Sequence, residues 1–152
     1  MGEQKVVLIG CDEAGFEMKK LITAHLESLG VQVQDYGCHS TDPIDYPDVA
    51  ERLAKDIASS KSDRGILICG TGIGMAIAAN KVPGVYAAQA HDTFSAERAR
   101  KSNNAQVITI GARVVGPELA KQIVSHWMES EFAGGNSARK VEKIRKIESS
   151  AG

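Results

Sequence analysis

The chain is short of several things, and each shortage removes a class of protein. Its 152 residues hold only three cysteines, Cys11, Cys38 and Cys69, with no C-x-x-C pair. A disulfide framework or structural zinc site is therefore not expected, and reduced thiols are. No two His or Cys fall at ligand spacing on one predicted element, so neither a metal nor another cofactor is expected. Neither sign of charge is in excess, with 18 Lys and Arg against 19 Asp and Glu. That balance speaks against a nucleic-acid partner, although a few Arg or Lys could still hold a small anion. No apolar run nears the ~18 residues of a membrane span. The opening MGEQKVVLIG lacks the features of a signal peptide, and Val6 stands where a myristoylation signal wants Ser or Thr. There is no repeat, low-complexity tract or linker. The expectation is one cytoplasmic domain over residues 1–152, without membrane or nucleic-acid contacts.

What is present is a regular alternation. Hydrophobic residues make up 43% and charged residues 24%, normal for a globular domain. Strand-like runs cover residues 5–10, 31–36, 65–68, 85–89 and 106–110. Helical spacing lies between them, with Met18, Leu21, Ile22, Leu26 and Leu29 in the first stretch and Val49, Leu53 and Ile57 in the second. A short helix follows at 72–81 and a charged one at 93–101. Leu119, Ala120, Ile123, Val124, Trp127 and Met128 mark a strongly amphipathic helix, and Val141, Ile144 and Ile147 a last one. Such alternation with continuous apolar strands predicts an α/β fold, a parallel sheet covered by helices on both faces. Ligands of such sheets bind beyond the carboxyl ends of the strands.

Polar groups follow each strand. Asp12 and Glu13 lie in GCDEAG, Asp45–Tyr46–Pro47 follows the second strand, His91–Asp92 the fourth, and Arg113 the fifth. The third strand runs into CGTGIG, residues 69–74, whose Gly70, Gly72 and Gly74 let backbone amides approach an anion at a helix start. The segment is neither a P-loop nor a dinucleotide fingerprint. Cys69 stands just before that helix, where thiolate is favoured, although a small buried hydrophobe is an equally good reading. Asp12 and Glu13 are as well read as helix caps. His25, His39 and His126 have no assigned partner, while His91 could reach the pocket. Arg98, Arg100 and Lys101 read most simply as a solvated helix face.

On these segments the chain resembles the type B ribose-5-phosphate isomerases and the galactose-6-phosphate isomerase subunits. The resemblance runs nearly end to end. It is most specific at GCDEAG, at Asp45–Tyr46–Pro47, at ICGTGIGMAIAANKVPG (68–84) and at GARVVGPELAK (111–121). It implies a Rossmann-like three-layer α/β/α sandwich with a five-stranded parallel sheet. It also implies a homodimer, with tetramers open, whose active sites lie between subunits, and a C-terminal helix at about 136–149 packing on the partner. The implied reaction is metal-free aldose–ketose isomerisation through an enediol. Cys69 would carry the proton, Thr71 and the glycine amides would hold the enediolate, and Asp12 and Tyr46 would position hydroxyls. Asn103 matches a pocket position and Arg113 a phosphate contact.

Four positions depart from the ribose-5-phosphate pattern. Glu13 stands where His usually follows Asp, and Ser102 replaces the His credited with opening the furanose ring. Asn136 and Lys140 replace two phosphate-clasping arginines, with Arg139 next to the second. Serine is a poor proton shuttle near neutral pH. A tetrose phosphorylated on O4 cannot close a furanose and needs no such shuttle, and AHDTFSAERARKSNNAQVITIGARV resembles the erythrulose-4-phosphate branch of the family. The leading expectation is ribose 5-phosphate/ribulose 5-phosphate, with a tetrulose 4-phosphate as the competitor, or with His91 replacing the missing His. A non-catalytic phosphosugar-binding subunit is the alternative of another class.

Overall fold

Side-chain alternation along the strands divides the core in two. The computed structural model describes residues 6–151; Lys5, expected to open the first strand, lies outside the described residues, as do 1–4 and 152. The strands are β1 (Val6–Cys11), β2 (Gln32–Asp35), β3 (Gly65–Cys69), β4 (Ala87–Gln89) and β5 (Val107–Gly111). The helices are α1 (Phe16–Ser28), α2 (Tyr46–Ala58), α3 (Ile73–Asn80), α4 (Thr93–Lys101), α5 (Pro117–Glu129) and α6 (Asn136–Ser150). Every pairing is parallel, in the order β2-β1-β3-β5-β4.

On one face Val7, Ile9, Cys11, Ile66, Ile68, Ile108 and Ile110 pack with residues of α1, α4 and α5. The alternate residues Leu8, Leu67, Cys69 and Val107 pack with α2 and α3 on the other. This is the expected three-layer sandwich, and the period of two decides which helix each strand residue meets. The chain leaves β1 sideways for β2 and then crosses back to β3, so the order reverses between β1 and β3. A crevice for ligands opens at that point in such sheets.

Two differences from the sequence reading have physical causes. The fourth strand is shorter than expected because it is an edge. Gln106 binds Tyr86 N–H and Gly84 C=O through its side chain, and Asn80 binds Ala87, in place of ladder bonds. Arg100 is not on a solvated face but only 5% exposed, donating to Asp63 Oδ2 at 2.7 Å and to the carbonyls of Asp63 and Ala105. Arg64 is fully buried beside it, donating to the carbonyls of Trp127 (2.7 Å) and Ser130 (2.5 Å) and lying over the Trp127 ring. These guanidiniums satisfy carbonyls at the amino-terminal edge of the sheet and so fix the ends of α4 and α5 there. Val141 is the buried residue of α6, and Glu148 near its end accepts the Gly84 N–H.

Candidate active site

The carboxyl-terminal edge of the sheet collects most of the expected residues. Cys69 ends β3, paired in register with Gly111 of β5. Its Sγ accepts the Gly72 N–H at 3.1 Å, and Thr71 Oγ1 accepts that of Ile73 at 3.2 Å. The turn closes because Gly72 sits at φ +79, which only glycine adopts readily. Gly111 is equally constrained, since a Cβ there would meet the Thr71 backbone at 2.7 Å. The turn's carbonyls point away from the sulfur. Those of Cys69 and Gly70 accept Ala112 N–H and Arg113 N–H, that of Thr71 accepts Gln89 Nε2–H, and that of Gly72 accepts Thr109 Oγ1–H.

The other residues arrive around this turn. Tyr46 opens α2 and packs so closely on Gly74 that a Cβ there would lie 2.4 Å from its ring. The Arg113 guanidinium lies over Gly70, where a Cβ would be 3.4 Å from its Nη1. Asp12 caps a single 3-10 turn at Glu13–Gly15, accepting the amides of Ala14 (3.0 Å) and Gly15 (3.3 Å). Burial and the neighbouring Glu13 charge still hold its carboxyl above the ordinary value, against those amides and Arg113. Glu13 accepts the Ile44 N–H at 3.0 Å, which ties the 37–45 loop to this edge and, with its own backbone and Arg113, lowers its pKa. His91 Nε2 accepts the Gly111 N–H at 2.8 Å. That bond places the ring proton on Nδ1, and burial lowers the ring's pKa in the same sense.

Three expected residues are elsewhere. Because α4 runs back across the sheet, Asn103 and its neighbour Ser102 lie at the amino-terminal edge, with Asn103 exposed. Ser102 Oγ accepts Arg98 Nε–H at 2.8 Å. Arg139 and Lys140, exposed in the first turns of α6, share that edge, joined to it by Ala133 N–H donating to Lys101 C=O. The expected residues of one chain therefore lie at two opposite edges of the sheet. A hollow of about 480 Å³ between the α3–β4 corner and α6 lies at this far edge and has no part of the Cys69 turn in its wall. Among the described residues no group of three or more His, Cys, Asp and Glu could hold a metal ion, and no helix is long and apolar enough to cross a membrane.

Sequence reasoning missed Gln89 and Thr109. For Thr109 a signal existed, a lone hydroxyl inside the apolar run VITIG. Gln89 had none, because its bond to Thr71 depends on a strand order that local pattern does not reveal.

A thiol under helix-start amides, at the reversal point of a doubly wound parallel sheet, marks a small-molecule enzyme of the α/β class. Comparison with known proteins narrows this. The family model Ribose/Galactose Isomerase matches residues 7–144. The D-erythrulose-4-phosphate isomerase of Pectobacterium atrosepticum is 59% identical over 140 residues, 91% of each chain. The ribose-5-P isomerase B of Listeria innocua is 47% identical over 142 residues, 93% of this chain and 96% of that one. The structure of Clostridium thermocellum ribose-5-phosphate isomerase B superposes with a TM-score of 0.94 at 42% identity, covering 97% of this chain and 99% of that one. The chain belongs to the Ribose/Galactose Isomerase family. It is an aldose–ketose isomerase of phosphorylated sugars.

Proposed function

We propose that Cys69 carries a proton between C1 and C2 of a short open-chain sugar phosphate. The observation behind this is the Gly72 N–H on Cys69 Sγ, at the sheet edge where Asp12, Thr71, His91 and Arg113 also gather. The thiolate takes the C2 proton of the aldose, and the electron pair forms the C1–C2 double bond as negative charge moves to O1. The Thr71 hydroxyl, whose oxygen already accepts Ile73 N–H, points its own proton at that oxygen alongside the amides of Gly70 and Gly74. The O2 proton moves to O1, and Cys69 returns its proton to C1 as C2 becomes the carbonyl. Asp12, Glu13 and Tyr46 orient hydroxyls, and Arg113 meets the phosphate.

The site is completed by a second copy. Asn103, Arg139 and Lys140 lie at the edge opposite Cys69, so a two-fold pair would bring each half to the other's complement. Ile73 and Ile77 of α3, 52% and 57% exposed, offer an apolar face for it, and Ile144 and Ile147 of α6 another. The reduced thiols suit a cytoplasmic homodimer.

The first substrate reading is erythrulose 4-phosphate/erythrose 4-phosphate, which reverses the order expected from sequence. Opening a furanose needs one group that both gives and accepts a proton. The basic nitrogen of His91 is occupied by Gly111 N–H, leaving a donor only, and Ser102 does not titrate and is held by Arg98. An O4-phosphorylated tetrose has no furanose to open, and the 59% identical relative carries that substrate in its name. Ribose 5-phosphate is the second reading, favoured by the name of the Listeria relative. Steady-state assays on both decide. kcat/KM for the tetrulose phosphate should exceed that for the pentose by about tenfold or more, and an equal or better pentose rate overturns the order. Deuterium uptake from heavy water by either sugar would exclude a purely binding role.

A further inference from the structure

The turn after β3 contains two consecutive peptide planes, each held at both ends. The plane between Thr71 and Gly72 has its carbonyl on Gln89 Nε2 (2.9 Å) and its N–H on Cys69 Sγ (3.1 Å). The plane between Gly72 and Ile73 has its carbonyl on Thr109 Oγ1 (2.7 Å) as well as on the Ala76 N–H of α3 (3.1 Å), and its N–H on Thr71 Oγ1 (3.2 Å). In each, a side chain from β4 or β5 grips the oxygen, while the opposite N–H meets one of the two groups assigned to the chemistry. A peptide unit is rigid and planar, so fixing its oxygen fixes the direction of its N–H. A hydrogen bond to the carbonyl also polarises the amide and strengthens its N–H as a donor.

We infer that Gln89 and Thr109 are positioning residues of this isomerase. Gln89 aims and strengthens the amide that steadies a negative Cys69 sulfur. Thr109 aims the amide that holds the Thr71 oxygen and so turns the Thr71 proton toward the substrate. Neither needs to touch the sugar. Thr109 is fully buried on the α2/α3 face, where Val107 and Leu67 are its apolar neighbours in the sheet. Valine would fill its volume, so its hydroxyl is placed for the bond to Gly72 rather than for packing. Gln89 is exposed at the end of an edge strand, so its amide contributes little to the core.

The inference rests on Cys69 as the proton carrier, and its test separates the two. The variants are Gln89→Leu, Thr109→Val and Thr109→Ser, with Cys69→Ala as reference. Two quantities are read: kcat and KM on the better sugar phosphate, and the rate at which iodoacetamide modifies Cys69, followed on its own peptide by mass spectrometry. Gln89→Leu should lower kcat about 3- to 10-fold with KM within about twofold. Cys69 alkylation should slow by a similar factor, with the melting temperature unchanged. Thr109→Val should lower kcat comparably, and Thr109→Ser should restore most of it. Unchanged kcat and alkylation in Gln89→Leu overturns the inference, as does a kcat loss with alkylation untouched. If Thr109→Val does not fold, Gln89→Leu still decides. Retained turnover in Cys69→Ala would instead overturn the role of Cys69, while alkylation would still report on the clamp.

Discussion

Two thiols end neighbouring strands of the same sheet, and their surroundings make them different chemicals. Cys11 closes β1 and pairs with Ile68, while Cys69, one residue further along β3, falls on the opposite face. Cys11 therefore meets the apolar side of α1, with its sulfur 3.8 Å from that of Cys38, while the first amides of the turn that follows it, Ala14 and Gly15, go to Asp12 instead. Burial pushes its thiol up to about 12, against the pull of the Lys19 charge. Cys69 meets the α3 start and takes an amide hydrogen bond. A strand end does not by itself set a thiol's surroundings; the face on which the residue falls decides what it meets.

The sharpest way to break this contrast is to delete each sulfur. Cys69→Ala should lower kcat by about 10³-fold or more with little change in melting temperature. Cys11→Ala should do the reverse, costing about 1 kcal/mol of stability and leaving kcat within a few-fold. Loss of turnover in Cys11→Ala would dissolve the distinction. Next in size, Gly111→Ala pushes a methyl against the Thr71 backbone and should tilt the Gly72 amide off the sulfur. We expect kcat to fall about 100-fold, with the Cys11 neighbourhood undisturbed, as amide exchange around β1 would report. The smallest effect is alkaline. Folded Cys11 keeps its proton where the unfolded thiol, at its ordinary 9.0, releases it. Its contribution is thus full below pH 9 and is lost as pH climbs toward about 12. Chemical denaturation in this window should show stability falling with pH in the parent and a flatter slope in Cys11→Ala.

The layers were legible from the sequence because buried parallel strands are continuous apolar runs and helices leave a different period; the isoleucine-rich β3 and β5 (GILIC and VITIG) are plain in it. The Cys69 turn was legible because its three glycines and following small-residue helix occupy one contiguous segment. Asp12 as a cap was legible for the same reason, being local. Arg64 and Arg100 were not, since their burial depends on carbonyls of α5 and of the 59–64 loop that a helix pattern around 93–101 cannot reveal. The place of Asn103 at the amino-terminal edge was legible too, because in a parallel alternation the helix at 93–101 must return the chain to where the next strand starts.

That direction has a further consequence. A parallel sheet has a head and a tail, and this chain keeps the Cys69 thiol at the head and the basic pair Arg139 and Lys140 at the tail. No single molecule can fold one onto the other. If pairing completes the pocket, damage to the head of one copy and the tail of another would leave one sound pocket in their mixed pair, so two disabled alleles could rescue each other.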